Sequence, residues 1–145
     1  MEKILISACL IGDKCRYDGH TNYSPKIRDL LDKYELIPFC PECEGGLPTP
    51  RNPSEIQKDG TVKMDNGKDV TKNYLRGADK ALDICLCLGI KIAILKDRSP
   101  SCGSTKIHDG SFSGKVIDGE GITTSLLRRK GIKVISEDEI DTLLK

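Results

Sequence analysis

Three apolar runs in this chain each empty into a cysteine. Ile4-Leu5-Ile6-Ser7-Ala8 leads into Cys9, and Leu36-Ile37-Pro38-Phe39 leads into Cys40-Pro41-Glu42-Cys43. The third, Ile90–Leu95, leads into Lys96-Asp97-Arg98-Ser99-Pro100-Ser101-Cys102-Gly103-Ser104. Open α/β sheets bind ligands outside the carboxyl ends of their strands. If these runs are parallel strands of one sheet, Cys9, Cys40, Cys43 and Cys102 converge at one rim, with two hydroxyls and several charged groups beside them. Gathered thiols of this kind suit a metal ion or a metal–sulfur cluster.

The chain has seven Cys in 145 residues and a formal net charge of +1. Met1-Glu2-Lys3-Ile4 enters a strand at once, without the long apolar core of a secretion signal. The expected location is therefore cytoplasmic, where thiols serve metals, catalysis or packing rather than disulfides. No apolar run is long enough to span a bilayer, so no membrane is expected. The near-neutral charge and the absence of Trp disfavour nucleic acid as a partner. Oligomeric state is not set by the sequence.

The elements that must position these thiols follow from the hydrophobic pattern. Strands are expected at about Lys3–Ala8, Leu36–Cys40, Ile90–Lys96 and Lys133–Ile135. Helices are expected from Ser24-Pro25 onward, over Val70–Leu88, over Thr124–Lys130 and over Glu137–Leu144 capped by Ser136. Glu55–Met64 reads as a hairpin turning at Asp59-Gly60, and Lys106–Val116 as a second short one. The four Pro and two Gly of Pro41–Pro53 predict an irregular loop. Alternating strands and helices predict one α/β domain over residues 1–145, with an open, mostly parallel sheet and helices on both faces.

The thiols are not equivalent. Cys85 and Cys87 sit in the apolar end of the long helix and read as packing. Cys15, in a polar loop, reads as incidental despite its cationic neighbours Lys14 and Arg16. Cys40-x-x-Cys43 alone fits redox, zinc or iron–sulfur chemistry. The redox reading expects a helix to open at the pair, which Glu44-Gly45-Gly46-Leu47-Pro48 argues against. A structural zinc could use Cys9, Cys40, Cys43 and Cys102, though such sites usually draw Cys in two close pairs. Scattered Cys from different strands suit a cluster held in a pocket. His20 and His108 lie in polar loops and read as incidental. The glycines of Gly110-Ser111-Phe112-Ser113-Gly114 and Gly119-Glu120-Gly121 match no phosphate loop and are expected to close over the pocket.

Four segments in register carry a resemblance. Ser7-Ala8-Cys9-Leu10-Ile11-Gly12, Arg16-Tyr17-Asp18-Gly19, Cys40-Pro41-Glu42 with Gly45-Gly46-Leu47-Pro48-Thr49-Pro50-Arg51, and Lys96–Gly103 resemble the small bacterial thiouracil desulfidase family over essentially the whole chain. The resemblance implies a [4Fe–4S] cluster held by Cys9, Cys40 and Cys102, with one iron lacking a protein ligand. Cys43 departs from the family pattern and is ranked a bystander. The implied activity is non-redox removal of sulfur from a small-molecule thiolated pyrimidine such as 4-thiouracil, giving uracil and hydrogen sulfide. Glu42, two residues after a ligand, is then the expected proton-transfer group. Ser99 or Ser101 would orient substrate or relay a proton, and family analogy favours Ser99. Lys96 and Arg98 are expected to hold negative charge or solvate the rim, and Ser7, Tyr17 and Arg51 are further pocket candidates. The alternatives are a structural or regulatory zinc or iron–sulfur protein, a binding module for modified nucleosides, and a thiol redox protein in which only Cys40 and Cys43 matter.

Overall fold

The computed structural model describes residues 1–144. At its centre lie four parallel strands in the order β2-β1-β5-β8, where β1 is Glu2–Ser7, β2 Tyr34–Phe39, β5 Ile92–Ile94 and β8 Lys133–Ile135. Ile4, Leu5 and Ile6 of β1 face Leu36, Ile37 and Pro38 on one side and Ile92, Ala93 and Ile94 on the other. All three β1 residues are fully buried, as expected of a strand covered on both faces.

Alternation along the strands sorts their side chains to two layers. Leu5, Ala93 and Val134 join Ala81 and Cys85 of α3 (Thr71–Leu88) and Leu127 of α4 (Ile122–Arg129) on one face. Ile4, Ile6, Ile94 and Ile135 join Ile27 and Leu30 of α1 (Ile27–Leu30) and Ile140, just before α5 (Asp141–Leu144), on the other. The sheet is thus wound on both sides, as the sequence pattern predicts. Two hairpins, β3–β4 (Ser54–Ile56, Val62–Met64) and β6–β7 (Lys106–His108, Val116–Asp118), stand outside it.

The local differences from expectation have simple causes. The region after Cys40 is not wholly irregular. Cys40 stays extended, Pro41 takes the first helical position, and Pro41–Glu44 forms the short helix α2 before Gly45 and Gly46 end it. The first helix begins two residues after Pro25, and the Ser24 side chain makes no cap. The closing helix is split into a 3₁₀ turn at Glu137–Glu139 and α5, although Ser136 and Glu139 do form the capping box. Cys85 is buried in the core as expected, whereas Cys87, two residues on and pointing elsewhere, is exposed. The glycine loops do not close over the pocket. Gly110 and Phe112 donate their backbone N–H groups to Glu55 Oε1 on the β3–β4 hairpin, and Gly121 backs onto Ser101.

Helix α2 carries Glu42, and its placement depends on one close approach. A Cβ on Gly77 of α3 would sit 1.9 Å from the Pro41 carbonyl oxygen. Backbone cannot yield as a side-chain tip can, so Gly77→Ala should force the helices apart and cost about 1–3 kcal/mol in urea unfolding. Unchanged stability would contradict this packing.

Candidate metal centre

The carboxyl ends of β1, β2 and β5 open into one cavity of about 320 Å³. Its position is a topological switch point, since the chain leaves β1 toward β2 on one side and reaches β5 on the other. Ser7 and Cys9 enter from β1, Cys40 and Glu42 from β2 and α2, and Lys96, Arg98, Ser99 and Cys102 from the loop after β5. Tyr17 and Arg51 line the same cavity.

Ser101 does not belong to the lining. It is fully buried behind the wall, where its hydroxyl shares a 2.7 Å hydrogen bond with Thr123 Oγ1. Cys43 is also outside the lining, on α2, with Sγ 3.5 Å from Thr49 Oγ1. A four-Cys zinc site would need Cys43 inside. Among the described residues no three His, Cys, Asp or Glu side chains form a group that could hold a single ion.

Three residues read as incidental or passed over do line the cavity: Cys15, Asn22 and His108. Asn22 Nδ2 donates to Cys9 Sγ at 3.4 Å. His108 arrives through β6, which the Arg98–Ile107 bridge holds against the loop after β5. The Cys15 side chain packs against the layer that contains Cys9.

Glu42 is held in the cavity by two side chains. Arg51 Nη2 and Nε donate to its Oε2 at 2.6 and 3.2 Å, and Ser99 Oγ donates to Oε1 at 3.3 Å. The rest of the guanidinium is committed to Cys15 O at 3.0 Å, Pro48 O at 3.1 Å and Thr49 Oγ1 at 3.0 Å. Arg51 is therefore a positioning residue with no donor left for a substrate. Ser99 Oγ in turn accepts the N–H groups of Ser101 and Cys102, both at 3.1 Å, which fixes the hydroxyl proton toward Glu42. Lys96 is engaged by Glu137 at 2.8 Å and by the Asp97 carbonyl. Ser7 Oγ accepts from Lys96 N at 2.9 Å and ties the ends of β1 and β5 together. Arg98, by contrast, is exposed at the mouth and its guanidinium makes no hydrogen bond or ion pair among the described residues.

The thiols differ in acidity for identifiable reasons. Hydrogen bonding from Cys15 pulls Cys9 down and, with help from the Cys43 backbone N–H, pulls Cys40 down to about 6. Burial pushes Cys102 well up.

The loop after β5 is organised by Asp97. Its Oδ1 accepts four backbone N–H groups, from Arg98, Ser104, Thr105 and Lys106, at 2.9–3.1 Å, and Thr105 Oγ1 donates to Oδ2. This cradle holds Arg98 at a left-handed φ of 70°. Burial opposes the charge on Asp97, but the hydrogen bonds outweigh it and hold the carboxyl down at about 2.

The donor set fits an iron–sulfur cluster. Soft thiols from three strand ends share one cavity, and the two carboxylates that line it are already satisfied, Glu42 by Arg51 and Asp97 by the N–H groups of its own loop. The N–H···S contact from Asn22 is of the kind that tunes cluster thiolates. Fold and site together define a doubly wound α/β protein with a cysteine-lined cavity at its switch point. The family model for 2-thiouracil desulfurase matches residues 4–139, and the chain belongs to that family. It is 45% identical over 150 residues to the uncharacterized protein YbbK of Bacillus subtilis (strain 168), covering 97% of this chain and 99% of the relative. A solved structure described as the [4Fe-4S]-dependent thiouracil desulfidase TudS superposes with a TM-score of 0.93. It shares 49% identity and covers 99% of this chain and 95% of its own.

Asp97→Asn should lower stability at neutral pH by about 1.5–3 kcal/mol, the worth of hydrogen bonds to a charged group. A depressed carboxyl contributes fully above its unfolded value of about 4 and loses its contribution as pH falls toward 2. Urea unfolding across that window should show wild type and variant converging. A constant gap would contradict the account.

Proposed function

We propose that this protein is an iron–sulfur-dependent thiouracil desulfidase, converting a thiolated pyrimidine and water to the oxo-pyrimidine and hydrogen sulfide without net electron transfer. The observation that carries the reading is the junction of Cys9, Cys40 and Cys102 with the Arg51–Glu42–Ser99 chain in one cavity. Membership of the 2-thiouracil desulfurase family and the likeness to TudS support it.

Cys9, Cys40 and Cys102 would hold a [4Fe–4S] cluster, leaving one iron to the substrate's sulfur. When bound, the cluster supplies a soft Lewis acid that polarises the C=S bond. Every other role falls to side chains. Glu42, charged and oriented by Arg51, takes the proton of the water that attacks the ring carbon. Ser99, hydrogen-bonded to Glu42, relays that proton from Glu42 to the departing sulfur as the C–S bond breaks. The second proton of the former water follows through the same pair, so that the sulfur leaves as hydrogen sulfide and Glu42 and Ser99 return to their starting states. Arg98, the unpaired cation at the mouth, meets the negative charge that develops on the pyrimidine. Tyr17 and His108 border the space left for the ring, and Ser7 and Arg51 position the ligand-bearing loops. No helix among the described residues is long and apolar enough to cross a membrane, and the substrate is a small molecule.

The test is turnover of 4-thiouracil, followed by absorbance and sulfide release, after anaerobic reconstitution. Wild type should turn over. Glu42→Gln should lose about 10²–10⁴-fold in kcat with iron content intact, the usual worth of a general base. Ser99→Ala should be impaired, while Ser101→Ala, remote from the cavity, should stay within a few-fold of wild type. No turnover by wild type with a verified cluster would overturn the reading.

A further inference from the structure

Cys15 stands apart from the other unassigned thiols. Cys43 and Cys87 lie outside the cavity and Cys85 is in the core, but Cys15 lines the same space as Cys9, Cys40 and Cys102. It is not a loosely held loop thiol. Its carbonyl accepts from Arg51 Nη2 at 3.0 Å and from Cys43 Sγ at 3.9 Å. The next residues are fixed as well, by Arg16 N to His20 O at 3.3 Å and by Arg51 N to Tyr17 O at 2.6 Å. The same guanidinium that orients Glu42 therefore also sets the position of Cys15. The side chain it presents packs against the layer that contains Cys9 and lines the cavity that Cys40 also lines.

We propose that Cys15 is a fourth, displaceable thiolate of this metal centre, occupying the position of the substrate's sulfur until substrate arrives. The inference rests on the cluster desulfidase reading of the site. The CxxC spacing would nominate Cys43 as the fourth sulfur, but the structure turns Cys43 toward Thr49 and brings Cys15 in instead.

The exchange balances without a redox partner. Cys15 gives up its proton to solvent when its sulfur binds iron. When the substrate's sulfur replaces it, the iron–Cys15 bond breaks and the thiolate takes a proton back from solvent. Oxidation states do not change. Such a ligand would shield the reactive iron from water and oxidants in the resting protein, at the cost of competing with substrate. An acidic neighbour could not serve as well, because a hard oxygen donor is a poorer match for the position of a soft sulfur.

The test is Mössbauer spectroscopy of anaerobically reconstituted protein carrying isotopically enriched iron, with alkylation mapping of each thiol by mass spectrometry. Without substrate, the wild type should show only sulfur-coordinated irons, and Cys15 should be protected from alkylation. Cys15→Ala should set one iron apart as a distinct subsite, and Cys15→Ser should set it apart with an oxygen ligand. Cys43→Ala should match the wild type. Adding 4-thiouracil to the wild type should expose Cys15 to alkylation while Cys9, Cys40 and Cys102 stay protected. Coincident spectra of wild type, Cys15→Ala and Cys15→Ser, in protein that still turns over, would overturn the role of Cys15 alone. Failure of the wild type to assemble a cluster would overturn both this role and the reading beneath it.

Discussion

The parallel pairing of β1 with β2 on one side and β5 on the other is the constraint from which the site follows. Parallel strands leave a sheet on the same edge, so three chain exits must share one rim. The fully apolar middle of β1 fixes that pairing by burying both of its faces. With the sheet covered on both sides by helices, polar chemistry has room only at the strand ends. Cys9 joins one packed layer and Cys102 the other, so the rim is where residues from opposite faces can meet. Register then matters as much as order. A shift of one residue along β2 would send Cys40 to the other face of the sheet.

A second layer of order is polar and depends on Arg51. Its side chain is only 3% exposed and pairs with a Glu42 side chain 15% exposed. Withdrawing two charges from water is unfavourable unless the geometry and remaining hydrogen bonds compensate. Here the guanidinium is saturated by the carboxylate, two carbonyls and a hydroxyl, and the carboxylate keeps its second oxygen for Ser99. The result is a carboxylate fixed in one orientation, with Arg51 on one oxygen and Ser99 on the other. The same guanidinium fixes the loop that carries Cys15, so the placement of Glu42 and of Cys15 shares a single anchor.

Much of this was legible in the sequence because it depends on local signals. Apolar runs ending in Cys9, Cys40 and Cys102 marked strand exits, and their alternation with helical patterns implied a parallel sheet. The resemblance singled out Glu42, and Ser99 ahead of Ser101, each on its own, and the structure sets Ser99 Oγ 3.3 Å from Glu42 Oε1. What could not be read depends on where loops return. Cys15 looked incidental because nothing local shows that Arg51, 36 residues on, holds its carbonyl in the cavity. His108 looked like a surface residue because its approach depends on a bridge between β6 and the loop after β5. Ser99 and Ser101 are equivalent in sequence around Pro100. Only the turn they form sends one hydroxyl to Glu42 and the other to Thr123 behind the wall. Helix α2 escaped notice because a proline that breaks a helix interior also starts one well.

The central claim is that three strand-end thiols, and not the CxxC pair, hold the metal centre. Iron and labile sulfide per chain, measured after anaerobic reconstitution of single Cys→Ala variants, tests it most directly. The account predicts that Cys9→Ala, Cys40→Ala and Cys102→Ala each lose the cluster or most of its iron, while Cys43→Ala and Cys87→Ala load as the wild type does. Full loading of Cys102→Ala together with an empty Cys43→Ala would contradict it.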